Sequence, residues 1–154
     1  MSSSIDPSRQ QELAAMEQRI NEMVQQSRVL EAYMNDIMTR QVTVTKLMEE
    51  ARMASTSIQG ISQDSEVESL MPIGIGVYVK TSVPPVKKLV VTLGAGVALE
   101  KSREDALNYV EARIKEYEVA ARQLEAQRQE IAMRMEQMQA HINQMIRAAQ
   151  MQQG

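Results

Sequence analysis

Apolar residues in this chain recur at alternating steps of three and four, over two long stretches, one near each end. The first run is Leu13, Met16, Ile20, Met23, Ser27, Leu30, Met34, Ile37, Gln41, Val44, Met48, Ala51, Ser55 and Ile58, in which only Ser27, Gln41 and Ser55 are polar. The second is Leu107, Val110, Ile114, Tyr117, Ala121, Leu124, Arg128, Ile131, Met135, Met138, Ile142, Met145 and Ala149, broken only at Arg128. A mean step of about 3.5 residues keeps one narrow stripe facing a partner along a left-handed supercoil. A stripe this narrow is matched by another helix rather than by a broad sheet. Neither stretch can bury its stripe alone. Matching lengths around a short centre therefore predict two helices that fold back and pair antiparallel. Each helix would hold roughly 50 residues, about 75 Å at the usual rise per residue.

The ends of the runs carry helix punctuation. Asp6 is placed as an N-cap, with Pro7 at the first helical position, where no amide hydrogen is needed. Gly60 suits the left-handed position after a helix, so the first helix is expected over 7–59. Ser102 followed by Asp105 resembles a capping box, and Glu104 and Asp105 suit the positive end of a helix dipole. The second helix is expected over 103–152. Outside the stripe, Glu111–Lys115, Glu118–Arg122 and Glu130–Arg134 are spaced to pair across one turn.

Between the helices, residues 67–101 change period from helical to alternating. Val77, Val79, Thr81 and Val83 share one face, with Tyr78, Lys80 and Ser82 on the other. Leu89, Val91 and Leu93 alternate with Lys88, Val90 and Thr92. Gly74 with Gly76, and Gly94 with Gly96, are turn signals, and Pro84-Pro85 punctuates the centre. Four strands are predicted, at 67–72, 77–83, 87–93 and 97–101, as two hairpins turning at the glycine pairs. Residues 72–79 and 92–99 share the pattern apolar–Gly–x–Gly–Val–x–apolar, a weak internal repeat. An isolated hairpin is marginal in water, and open strand edges pair with other chains. The segment therefore reads as an assembly device, several copies of which could close into a β-barrel. The fold class is α+β and predominantly α, a coiled-coil hairpin carrying two short β-hairpins at its centre.

Composition narrows the function. The 154 residues suggest one domain over 1–154. With no Trp, no Phe and four Tyr, burial falls to aliphatic residues and to 13 Met. A net charge of -3 does not favour phosphate backbones, so nucleic acid is not an expected partner. No cysteine is present, which excludes disulfide and thiolate chemistry. Residues 1–12 hold no apolar core of a signal peptide. The longest mostly apolar stretch, Leu89 to Leu99, is about half of the roughly 20 residues a spanning helix needs. No membrane partner is expected, and a cytoplasmic location is. The glycine pairs lack the third glycine and following helix of a dinucleotide site. His141 stands alone on a helix face, without a second ligand for a metal. The carboxylates are spread along helix faces and form no acid–base pair. The chain is thus expected to be no enzyme and to need no cofactor.

Two long helices around two β-hairpins resemble an α-type subunit of the prefoldin family. The resemblance rests on Leu70-Met71-Pro72-Ile73-Gly74-Ile75-Gly76-Val77-Tyr78-Val79 and on Leu93-Gly94-Ala95-Gly96-Val97-Ala98-Leu99-Glu100-Lys101-Ser102. Glu104-Asp105-Ala106 and Ile114-Lys115-Glu116-Tyr117 add to it. By motif it covers residues 70–117, and by topology nearly the whole chain. It implies a hexamer of two α and four β subunits with β-barrels at the centre and projecting coiled coils. It further implies ATP-independent capture of unfolded client proteins and their delivery to a group II chaperonin. The many Met and missing Phe depart from relatives and put the identity of the client surface in question. A structural coiled-coil scaffold, or a filament-forming relative without client transfer, is the alternative.

The residues expected to carry these roles fall in two places. Assembly is assigned to Val77, Val79, Leu89, Val91, Leu93, Val97 and Leu99, around turns at Gly74, Gly76, Gly94 and Gly96. Client contact is assigned to the tips where the two chain ends meet: Leu13, Met16, Ile20, Met138, Ile142, Met145, Ile146 and Met151. Met is unbranched and polarisable, which suits a surface that must fit many shapes. Met16, Met138, Ile142 and Met145 also fit the helix–helix seam, and both readings stand. Ile146 and Met151 lie off the seam and read as client contacts. Arg128 is expected to pair with a nearby acid, and Gln41 to help set helix register.

Overall fold

The computed structural model describes residues 6–61 and 63–153. The elements run α1 (Pro7–Gly60), β1 (Val67–Gly74), β2 (Val77–Val83), β3 (Lys88–Gly94), β4 (Val97–Ser102) and α2 (Arg103–Gln153). They form two compact units, one of residues up to Val42 with those from Arg122 onward, the other of Thr43–Ala121.

Asp6 opens α1 as expected. Its carboxylate accepts the Ser8 amide at 3.2 Å, and its carbonyl accepts the Arg9 amide at 2.9 Å. The far end of α1 differs from expectation. Gly60 is the last helical residue and is not among the left-handed glycines. The Ile61 amide closes the last turn on the Ser57 carbonyl at 3.2 Å. Arg103, at the head of α2, donates to the Ile58 carbonyl at 3.1 Å and the Gln59 carbonyl at 2.9 Å. Two of the carbonyls left open at the end of α1 are thus met by a cation, which also suits the negative end of the helix dipole. At the start of α2, the Ser102 hydroxyl accepts the Asp105 amide at 3.1 Å, the forward half of a capping box.

Every seam position expected from the 3.5-residue period is buried or half-buried. In the unit of 43–121 the seam buries Ile114, with Ala106 beside it. The buried Ser55 hydroxyl donates to Glu111 of α2 at 2.6 Å. In the other unit it buries Ile37, Leu124 and Ile142, and Arg9 reaches the Gln152 carbonyl at 2.9 Å. Within each unit, partners on α2 fall in number as those on α1 rise, so the pairing is antiparallel. Of the pairs expected across one helical turn, Glu130–Arg134 forms at 2.7 Å. Glu111 and Glu118 turn instead toward α1, to Ser55 and to Arg52 at 3.8 Å. An exposed pair within one helix contributes only about 0.3–0.5 kcal/mol, so a partner across the seam displaces it easily.

The strands form two separate two-stranded antiparallel sheets, β1 with β2 and β3 with β4. β1 and β3 run one to two residues further toward their turns than the sequence suggests. Tyr78 pairs with Pro72 and Val77 with Gly74, leaving a bulge between Pro72 and Gly74. Ala98 pairs with Thr92 and Val97 with Gly94, with the same bulge. The internal repeat is therefore repeated geometry. Both turns carry positive φ at both central residues: Ile75 (50°) and Gly76 (74°), Ala95 (51°) and Gly96 (77°). That is the pattern of the tight hairpin turn whose twist matches its strands. A Cβ added at Gly76 or Gly96 would meet nothing within 4 Å, so φ rather than space selects glycine there.

Candidate functional site

The hairpins leave their apolar residues open. Val77, Val79, Leu93, Val97 and Leu99 are exposed, and Leu89 and Val91 are half-buried. Cross-strand register places Met71 opposite Val79 on one face of the first hairpin, and Leu70 opposite Lys80 and Pro72 opposite Tyr78 on the other. Leu70, Met71 and Tyr78 are all exposed, so both faces of that hairpin present apolar surface. In the second hairpin Val91 pairs with Leu99 on one face, while Val90 lies open on the other. Ile75 stands fully exposed at the first turn, in a left-handed conformation that a β-branched residue rarely adopts. Its counterpart in the second turn is the small Ala95.

The eight residues expected at the tips separate into two groups. Leu13, Met16, Ile20, Met138 and Met145 are half-buried, and Ile142 is 5% exposed. These six belong to the seam. Ile146 and Met151 are outside it and exposed, Met151 at 83%. Met133, on the outer face of α2, is open as well.

A polar layer interrupts the seam in the same unit. The Gln41 amide donates to Glu125 at 2.9 Å, and Arg128 donates to both oxygens of that carboxylate at 2.9 and 2.6 Å. The Arg128 bonds first, and the Gln41 bond after them, hold the Glu125 carboxyl down at about 2. Glu125 in turn raises the Arg128 guanidinium above its usual range. A polar seam residue bonded across the interface favours one alignment of the helices over its neighbours. In the unit of 43–121, Lys101 and Arg113 lie 5.3 and 5.5 Å from the Tyr109 ring centre, near the start of α2. Both are at cation–π distance.

One surface was not anticipated from the sequence. In the unit of 6–42 and 122–153, one flank of the helix pair is grooved. Met23, Val29, Leu30 and Met138 give it apolar lining, and Arg134 and His141 line it as well. Val29 and Tyr33, on the same flank, are more than half exposed. Neither lies on the seam. The signal that could have found them is a pair of large apolar residues four apart on an otherwise polar face. Among the described residues, no helix is long and apolar enough to cross a membrane.

Comparison with known proteins gives this architecture its relatives. The profile of the Prefoldin subunit family matches residues 8–148. "Prefoldin subunit alpha" of Nitrosopumilus maritimus is 39% identical over 134 residues, covering 87% of this chain and 92% of that one. "Prefoldin subunit alpha" of Methanospirillum hungatei is 25% identical over 154 residues, covering 99% of this chain and 96% of the relative. Among solved structures, filamentous PFD from Methanocaldococcus jannaschii superposes with a TM-score of 0.62 at 24% identity. It covers 79% of this chain and 98% of that one, a likeness of fold. Any coiled coil shares a period, but identity sustained through the hairpins and both helices is kinship, and the chain belongs to the prefoldin family as an alpha-type subunit.

Proposed function

We propose that this subunit works in an ATP-independent, non-enzymatic holding chaperone of the cytoplasm. Its open hairpins join those of β-type prefoldin subunits, two α with four β, closing β-barrels that no single chain can form. The coiled coil then offers apolar surface near its chain ends to unfolded clients, keeps them from aggregating, and passes them to a group II chaperonin. The observation that carries this reading is the apolar surface left open beside a closed seam: Met133, Ile146 and Met151 on α2. Weak contacts of this kind at several coiled coils add by multivalency and retain a client without one tight site.

The test is light scattering as a denatured protein is diluted into buffer, with and without the assembled complex. Suppressed aggregation that weakens when about fifteen residues are trimmed from each end of this chain supports the reading. Replacing Ile146 and Met151 with Ser should weaken holding while the oligomer stays intact. A properly assembled complex that suppresses nothing would reduce the chain to a scaffold. A filament is the second reading, because open strand edges can join copies of one chain without end. Native mass measured with and without β-type subunits separates it from a closed hexamer.

A further inference from the structure

We propose that the flank groove between Met23, Leu30 and Met138 is a subsite for client segments in which an apolar side chain is neighboured by carboxylates. The proposal rests on the holding function above and names a preference within it. The wall of the groove is apolar, and an exposed guanidinium stands beside it. The residues lining it include Arg134 and His141 and no acid. Arg134 is the cation of this lining, and its ion-pair partner Glu130 lies outside it. A second hollow in the same unit is lined by Glu17 and Glu22, with no cation. A third, beside Ile37 and Ile131, has Arg40 and Arg134 but also Asp36 and Glu130, so among these hollows the groove alone joins an apolar wall to a cation with no acid in its lining.

Arg134 is suited to this role by its bonding. One N–H donates to Glu130 at 2.7 Å, which leaves the rest of its donor fork available. The guanidinium is well exposed, so a carboxylate can reach it without burying an unpaired charge. Open Val29 widens the apolar wall, and polarisable Met23 and Met138 can adapt to different side chains. An unfolded segment offering Leu or Val beside Glu or Asp meets complementary groups at both points. The same segment with Lys in place of the acid brings like charges together, and charge complementarity selects between them.

The experiment uses the assembled complex and three fluorescein-labelled synthetic peptides of one apolar pattern, flanked by Glu, by Gln or by Lys. Binding is read by fluorescence anisotropy. The Glu-flanked peptide should bind about fivefold tighter than the Lys-flanked one, the factor given by an exposed ion pair near the top of its usual range. That preference should shrink toward unity at about 1 M salt, where the screening length is about 3 Å. Arg134→Gln should abolish the preference and Arg134→Lys should retain part of it. Glu130→Gln, which releases the guanidinium, should strengthen it. Because the chain has no cysteine, a dye at Gln137→Cys reports occupancy of the groove itself. Equal binding of all three peptides, a preference untouched by Arg134→Gln, or a silent dye would each overturn the subsite. If aggregation is suppressed while any of these occurs, the subsite alone falls. If aggregation is not suppressed either, the holding function falls with it.

Discussion

The helix seam and the β-hairpins draw on the same apolar residue types and end in opposite states. Along the seam every expected position is sheltered, down to the short Ala121 and the polar Gln41. In the hairpins Leu70, Val77, Tyr78, Val90 and Val97 stay open although each lies in a regular strand. The difference is geometric. A stripe one helix wide is covered by one other helix, and a chain that turns back supplies that helix itself. A two-stranded sheet has two faces and two free edges, and nothing else in its own chain to cover them. The open apolar surface of the hairpins is thus surface that this chain does not itself cover.

That contrast can be broken by exchanging the kinds of damage. Val79→Asp should have the largest effect and should strike only assembly. Burying an unpaired carboxylate in a joined β core costs about 3 kcal/mol or more, while in the free chain Val79 already meets water. Native mass should collapse to smaller species while helix content by circular dichroism is unchanged. An unaltered mass would remove Val79 from the interface. Leu124→Ala should do the reverse. Truncating this buried seam residue should cost the chain about 2 kcal/mol, seen as a lower thermal midpoint, with subunit stoichiometry preserved.

Ile75→Asn sharpens the comparison further, because its two effects should have opposite signs. Asn tolerates the left-handed turn, so the isolated chain should gain about 1 kcal/mol. If the exposed isoleucine is retained for contact with another subunit, the complex should lose affinity at the same time. A gain in both would show the residue to be simply strained.

The smallest effect concerns pH. Glu125 is held down at about 2 against an ordinary 4.5, so its bonds to Arg128 and Gln41 contribute fully above the ordinary value. They are lost as pH falls from there through about 2, where protonation removes the acceptor. The unfolding midpoint of the wild type should therefore decline more steeply over that window than that of Glu125→Gln. Parallel curves would mean the layer carries no linkage.

Much of this was legible beforehand because it depends on period and on backbone stereochemistry. Steps of three and four located both helices, and Gly76 and Gly96 located both turns. Asp6 and Ser102 announced helix starts because capping is local. What escaped the sequence depends on what lies opposite. Gly60 looked like a left-handed stop, but Arg103, far along the chain, closes that end instead. Glu111 and Glu118 seemed paired within their helix until α1 offered Ser55 and Arg52. The groove was missed because Val29, which opens seam residues Met23, Leu30 and Met138 onto a flank, belongs to neither the seam nor the tips.

The antiparallel seam also has a history in time. Arg103 follows Ile58 and Gln59 by 45 and 44 residues, but Gln152 follows Arg9 by 143. At about 5–20 residues per second, the start of α1 waits on the order of ten seconds for its partner. Throughout that interval Leu13, Met16 and Ile20 belong to an unpaired stripe. The newborn subunit thus passes through the same exposed condition as the proteins it is proposed to protect.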